Sequence, residues 1–211
     1  MAFRGWPSEA LEFYEGLEAD NSKTYWTAHK AVYEKQVYAP MADLLTELEP
    51  EFGSGRIFRP NRDVRFSADK SPYKTAIAAT LERGGYLQLS ARGLAAGRGM
   101  YMMGPDQLDR YRQAVDAPAS GERLAGIVDE LRAQRIEAHG HDALRTAPKG
   151  YPKDHPRIEL LRNKGIVAWR EWPVAAWLGT AAARKRVGEF LRTCQPLDEW
   201  LKEHVGGSLA S

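Results

Sequence analysis

Between Arg59 and Thr75 the chain reads RPNRDVRFSADKSPYKT, and this stretch holds the residue types best suited to chemistry. Arg59, Arg62, Arg65, Lys70 and Lys74 are interleaved with two acids, Asp63 and Asp69. Cations gathered in this way meet phosphate or carboxylate oxygens, and the planar guanidinium fork matches two such oxygens at once. Val64, Phe66, Pro72 and Tyr73 lie among the charges as anchors, which a merely solvated loop does not need. If Asn61 to Ser67 runs extended, alternation sends Arg62, Val64 and Phe66 to one face and Asp63, Arg65 and Ser67 to the other. Val64 and Phe66 are then expected in the core. Asp63 would orient the Arg65 guanidinium toward a ligand on the polar side. The Ser71-Pro72 bend presents Tyr73, whose ring docks while its hydroxyl stays available, and Lys74, which leaves from a defined position beside a strand. Arg62, Arg65, Asp69, Lys70, Tyr73 and Lys74 are the ligand-binding candidates. An ion-pair network that only fixes the loop is the competing reading, because structural networks and binding sites draw on the same residue types.

A second stiffened segment, Lys149-Gly150-Tyr151-Pro152-Lys153-Asp154-His155-Pro156, adds Lys149 to the cationic wall. The ordinary pKa of a histidine side chain lies near neutrality, and His155 joins Asp63 as a candidate for acid–base catalysis. The alternative is a loop that caps the following helix through Asp154. His139-Gly140-His141-Asp142 has the look of a metal motif, but no third ligand or orienting partner follows, so no metal site is expected. Gly93, Gly97 and Gly99 flank Arg98 at spacings that match neither the GxxxxGK[ST] nor the GxGxxG phosphate loop. GxSxG and HExxH are absent, and the lone cysteine has no ligand or disulfide partner. No cofactor is implied. Trp169, Trp172 and Trp177 read as helix-docking core rather than as a base-stacking platform.

The elements that position these residues follow from periodicity. Apolar residues recur at helical spacing from Pro7 to Phe52, in three helices: one opened by Pro7-Ser8, one recapped at Asn21-Ser22 and one opened by Pro40. The period then shortens. Ile57 to Phe66 can run extended, and Thr75–Leu81, Tyr86–Leu89 and Gly99–Met103 read as strands joined by Gly84-Gly85 and by a turn around Gly93. Such short connections require antiparallel neighbours. Helical spacing returns from Pro105, Ala138 to Lys153 reads as irregular, and a short helix over 157–163 and a strand near Ile166 to Trp169 precede two final helices. The expected architecture is α+β, an antiparallel sheet with several packed helices in a single domain over 1–211. It comprises a helical part at 7–53, a sheet-forming middle at 57–103 and a helical part at 105–205.

Composition excludes several classes. With 211 residues, 43% hydrophobic and 27% charged, the chain can bury a core and is not disordered. A net charge of +2 does not by itself mark a nucleic-acid binder, which needs its positive charge gathered on one face. No apolar run approaches the ~20 residues of a membrane span. The first residues lack a secretory pattern, so a cytoplasmic protein without a membrane partner is expected.

Arg62-Asp63-Val64-Arg65-Phe66-Ser67 followed by Asp69-Lys70-Ser71-Pro72-Tyr73-Lys74 matches the pattern RDxRFSxDKSPYK. On this marker the chain resembles the domain of unknown function 2461 family of bacteria and fungi. The resemblance extends from about Trp6 to Leu201. Asn21, Lys23, Trp26, Lys30, Tyr33, the Gly97-to-Met103 stretch, Lys149-Gly150-Tyr151 and Pro196-Leu197 with Trp200-Leu201 support it. The family often opens its second helix with a run of asparagines and a Trp-Phe pair, where this chain has Asp20-Asn21-Ser22 and Tyr25-Trp26. The resemblance implies a shared module and no particular substrate.

The functional expectation is a basic pocket for a phosphorylated or carboxylated small molecule. Two other classes compete with it: a nucleic-acid-binding module using the same cations, and a scaffold protein whose charged segment is purely structural. A concave site favours the small ligand and a long flat stripe favours nucleic acid.

Overall fold

Helical periodicity fills the first fifty residues, and a computed structural model, which describes residues 2–208, places helices there. Helix α1, Ser8–Ala19, buries Ala10, Phe13, Tyr14 and Leu17. Helix α2, Lys23–Val32, starts at Ser22, whose hydroxyl accepts the Tyr25 N–H at 3.1 Å. It does not stop before Pro40. A π-helical turn at Tyr33–Tyr38 carries the chain directly into helix α3, Ala39–Phe52. Proline has no N–H and its ring crowds the carbonyl one turn back, and a widened turn upstream relieves both problems without breaking the helix.

Strands β2, Ala76–Leu81, and β3, Tyr86–Ser90, form an antiparallel hairpin with Ala78 opposite Gln88 and Thr80 opposite Tyr86. Gly84 and Gly85 make its turn at φ of 95° and 142°, values that L side chains rarely adopt. Ile77, Ala79, Leu81, Leu87 and Leu89 share one face and are buried. Strand β1, Gly55–Ile57, pairs antiparallel with β2. Strand β4 is Gly93–Met100, not Gly99–Met103. The turn before it lies at Ala91-Arg92 rather than around Gly93, and Tyr101 and Met102 form an exposed bend beyond its end.

Strand β5, Glu137–His139, falls in a stretch expected to be irregular, and it pairs antiparallel with β6, Ile166–Pro173. The strands hydrogen-bond in the order β1-β2-β3-β4-β6-β5, and the fold class is α+β. Among the described residues no helix is long and apolar enough to cross a membrane.

The chain packs as two compact units. The first runs to Ala96 and includes Glu171–Phe190. Its core holds Trp6, Tyr14, Leu17, Met41, Leu44, Phe52, Leu87, Leu89 and Phe190. Trp172 meets Phe190 edge-on at 5.8 Å between ring centroids, and the Arg186 guanidinium lies 4.7 Å from the centre of the Trp177 ring. Both tryptophans are half-buried and pack against protein groups at the edge of the core, not inside it as their sequence setting suggests.

The second unit holds Gly97–Arg170 and the residues from Leu191 onward. Helices α4, Pro105–Asp116, α5, Pro118–Ala133, and α6, Ile158–Arg162, lie in it, as does the last helix, Gln195–His204. Tyr111, Val115, Leu124, Leu161, Leu197 and Trp200 are buried there. Arg98 donates to the Leu191 carbonyl at 2.7 Å and to Asp198 Oδ2 at 3.1 Å, and Lys202 Nζ lies 2.8 Å from the same carboxylate oxygen. Burying a charge without a partner is costly, so Arg98 is a structural cation here and not part of a phosphate loop. Cys194 is fully buried, and that burial pushes its thiol pKa up to about 12.

Candidate functional site

Backbone pairing carries β1 and β2 past their formal ends. Phe58 N–H donates to the Ala78 carbonyl at 2.9 Å, Lys74 N–H to Pro60 at 2.8 Å and Arg62 N–H to Pro72 at 2.9 Å, while Asn61 bridges Tyr73. The RDVRFSADKSP segment is therefore the loop of a long hairpin, with a paired neck and a free tip. It is not extended through Phe66. The chain turns at Arg65-Phe66, Val64 is half-buried and Phe66 is 97% exposed. This corrects the expectation that Val64 and Phe66 enter the core. Alternation places side chains only where a strand has a packed face, and ladder pairing ends at Asn61 and Tyr73.

The neck is held from the N-terminal helices. Asn21, just before α2, uses its whole side-chain amide on one residue. Its Nδ2 donates to the Tyr73 carbonyl at 3.0 Å, and its Oδ1 accepts the Tyr73 N–H at 3.1 Å. Trp26 lies flat on the Tyr73 ring, with centroids 4.3 Å apart and planes 10° from parallel. Gly16 allows α1 and α2 to approach this closely: a Cβ there would fall 2.2 Å from the Tyr25 hydroxyl, which donates to the Phe13 carbonyl at 2.9 Å. These contacts set Glu18 and Asn21 beside the SPYK segment.

A cleft of about 560 Å³ opens at this neck. Its floor is the face of β2 and β3 opposite the buried leucines, and Ala76, Ala78, Tyr86 and Gln88 line it there. Two alanines where larger side chains would fill the space leave the sheet face hollow. Phe58 and Arg62 close the β1 side, Asp69, Ser71, Tyr73, Lys74 and Thr75 come from the returning strand, and Glu18 and Asn21 from the helices. Tyr86 donates its hydroxyl to Gln88 Oε1 at 2.9 Å, and its ring lies 6.5 Å from that of Phe58.

Charge is distributed unevenly around the cleft. Arg62 is ion-paired to Asp69, and Asp69 Oδ1 accepts the Ser71 N–H at 2.9 Å. The Ser71 hydroxyl and N–H, together with Arg62, hold the Asp69 carboxyl well below the usual carboxylate range. Lys74 has no carboxylate partner among the described residues, and its ammonium lies 5.5 Å from the centre of the Phe58 ring. A half-buried cation over an aromatic face, in a cleft with hydroxyl and amide groups, is equipped to take an anionic group.

Sequence reasoning grouped residues that the structure divides. Arg62, Asp69, Tyr73 and Lys74 line the cleft. Asp63, Arg65 and Lys70 belong to the tip. Arg65 Nη2 donates to Asp63 Oδ2 at 2.7 Å and its Nε to Oδ1 at 3.0 Å, in a pair with side chains 76% and 47% exposed. Hydrogen bonds from the Arg65 side chain and backbone lower the Asp63 pKa, and the same pairing raises that of Arg65. Lys70 Nζ donates to the Val64 carbonyl at 3.0 Å.

Lys149 and His155 belong to the second unit, where Lys149 is exposed. Both nitrogens of His155 are engaged: Nδ1 accepts the Arg157 N–H at 3.0 Å, and Nε2 lies 3.1 Å from Asp116 Oδ1. His155, rather than Asp154, satisfies a backbone donor at the entry to α6. In the HGHD stretch, His141 stacks on Tyr101 at 4.6 Å and Asp142 pairs with Lys164 at 2.6 Å. Among the described residues no group of three His, Cys, Asp or Glu side chains is arranged to hold a metal ion.

Phe58, Glu18, Tyr86, Gln88 and the two alanines were not singled out from sequence. The usable signal was the period-2 pattern of β2 and β3, in which Ile77, Leu81, Leu87 and Leu89 share one face while Ala76, Ala78, Tyr86 and Gln88 share the other. Such a pattern beside a cation cluster points to a concavity.

Fold and site thus define an α+β protein with a polar cleft at the neck of a charged hairpin. The chain belongs to the family described as conserved hypothetical protein (DUF2461), whose model matches residues 9–200. No curated protein matches it. Among solved structures it is similar to a conserved hypothetical protein from Pyrococcus furiosus, at 10% identity and a TM-score of 0.42, over 82% of this chain and 97% of that one.

Proposed function

We propose that this protein binds a small phosphorylated or carboxylated molecule in the cleft at the hairpin neck, with Lys74 meeting the anionic group. The observation that carries the reading is the state of Lys74, the cleft cation left without a carboxylate among the described residues. Arg62 serves as a wall whose charge Asp69 balances, and Tyr73 shapes the side of the cleft. Arg65, Lys70 and Lys149 lie outside the cleft lining and are not assigned to it. Asp63 and His155 are occupied by their own partners, so neither is assigned a catalytic role. A cytoplasmic setting belongs to the same proposal, with Cys194 as a buried, unpaired thiol.

The test is thermal unfolding with inorganic phosphate, phenyl phosphate and 3-phenylpropanoate, in wild type and in Lys74→Met. A ligand at ~100 times its dissociation constant stabilises by roughly 2.7 kcal/mol, which a melting curve resolves. Methionine keeps most of the lysine stem and removes the charge. The expected result is a rise in melting temperature for wild type that Lys74→Met lacks. An equal rise in both proteins would overturn the assignment.

A second reading rests on the tip. Phe66 is 97% exposed with the Arg65 guanidinium 5.9 Å from its ring centre, and Arg59 and Lys70 are exposed nearby in sequence. Cations beside an exposed ring suit a single nucleic-acid strand, which binds by phosphate contacts and base stacking. Salt-sensitive binding of a fluorescent single-stranded oligonucleotide that Phe66→Ala abolishes would favour this reading. Binding unaffected by that substitution would remove it.

A further inference from the structure

We infer that the cleft takes an amphoteric ligand, with a flat apolar body, a carboxylate group and an ammonium group, about the size of one aromatic amino acid. The inference rests on the proposal for Lys74 and narrows it. Charged groups on the lining are Arg62, Lys74, Asp69 and Glu18. Arg62 and Asp69 neutralise each other across the neck. That leaves Lys74 and Glu18, and neither has an oppositely charged partner among the described residues.

One unpaired ammonium and one unpaired carboxylate on the same cleft discriminate among anions. A phosphate dianion would gain Lys74 but approach Glu18 at a cost, since like charges at short range repel. A plain carboxylate carries less charge but still leaves Glu18 unanswered. A ligand with both a carboxylate and an ammonium group satisfies both protein charges.

The body of the ligand follows from the floor. Phe58 and Tyr86 present two rings 6.5 Å apart and tilted by 37°, and Ala76 and Ala78 line the same cleft. A flat apolar group lies against such a floor with little polar surface to desolvate. The volume of about 560 Å³ is in the range of small-molecule sites, roughly 300–1,000 Å³. Gln88 Oε1 accepts the Tyr86 hydroxyl, so the polar group Gln88 brings to the lining is its amide donor, which carries no charge.

The experiment is calorimetric titration at low salt with four matched probes: phenylalanine, 3-phenylpropanoate (which lacks the ammonium), phenethylamine (which lacks the carboxylate) and phenyl phosphate. Wild type is expected to bind phenylalanine about tenfold more tightly than 3-phenylpropanoate, the worth of one charge-assisted contact. Glu18→Gln, an exposed substitution, should erase that margin, and Lys74→Met should weaken both carboxylates. If wild type prefers 3-phenylpropanoate or phenyl phosphate and Lys74→Met abolishes that binding, the amphoteric ligand is wrong and the anion site stands. If no probe binds, or if binding ignores Lys74→Met, the anion site falls and this inference falls with it.

Discussion

The neck and the tip of the 62–72 hairpin loop each hold an arginine paired with an aspartate, yet the two pairs differ in surroundings. At the neck, Arg62 and Asp69 face each other across the hairpin, Ser71 ties the carboxylate to the backbone, and Asn21 and Trp26 clasp Tyr73 two residues on. At the tip, Asp63 and Arg65 stand two residues apart in the loop and pair in solvent. Asp69 at the neck is itself 61% exposed, so charge attraction alone contributes little to either pair, because water solvates the charges and salt screens them. Residue type alone does not separate a cleft wall from a solvated surface. What separates them here is attachment to helices and sheet, which holds the neck charges beside a cleft and leaves the tip charges to each other.

Trp26→Ala gives the largest expected effect. It removes the half-buried ring stacked on Tyr73, and its loss should cost about 2–3 kcal/mol, at or below the range for a core aromatic. Urea denaturation should show a lower midpoint with an unchanged slope. An unchanged midpoint would mean that the neck holds without the helices. Asn21→Ala should follow, at about 1–2 kcal/mol, since it strips partners from the Tyr73 N–H and carbonyl in a half-buried position. Asn21→Asp sharpens the point: it keeps the acceptor for the N–H but loses the donor, and it should fall between wild type and alanine.

Acid acts on the neck next. The Asp69 pKa is lowered in the folded protein, so its contribution is complete above the ordinary carboxylate value of about 4 and is lost as pH falls through the folded value. NMR titration of the carboxyl carbons should find Asp69 ionised well below ordinary aspartates. The Ser71 amide should keep its exchange protection from pH 7 down to that transition. In Asp69→Ala that protection should be low at every pH. An Asp69 that titrates like a free aspartate would break the distinction between neck and tip.

Asp63→Asn gives the smallest effect. Its pair with Arg65 is exposed, so the denaturation midpoint should not move measurably. A clear loss of stability would show that the tip is structural after all.

Much of this was legible in the sequence, and the losses have physical causes. The β2–β3 hairpin reads cleanly, because Gly84-Gly85 supplies the turn and the apolar residues Ile77, Ala79, Leu81, Leu87 and Leu89 recur at every second position on either side. The GLAAGRG run of β4 reads as a turn because small residues carry little strand signal. They are there because neighbours come close: in the second unit, a Cβ on Gly97 would lie 2.8 Å from the Trp169 ring, and one on Gly99 2.3 Å from the Ile166 carbonyl. At the site, Arg62, Asp69, Tyr73 and Lys74 were named from their motif. Phe58 follows β1, Glu18 lies in α1 and Gln88 in β3, and only the fold brings them to the cleft. Arg65 and Lys70 were grouped with the site because composition cannot distinguish a paired neck from a free tip.

The most direct measurement of the central claim compares Lys74→Met with Arg65→Met, one cation from the neck and one from the tip, in titrations with the anion that most raises the wild-type melting temperature. A charge-assisted contact worth about 1.5–3 kcal/mol corresponds to a loss of roughly 10- to 100-fold in affinity. The account predicts that loss in Lys74→Met, wild-type affinity in Arg65→Met, and unchanged folding in both. Equal weakening by the two substitutions, or a loss confined to Arg65→Met, would contradict it.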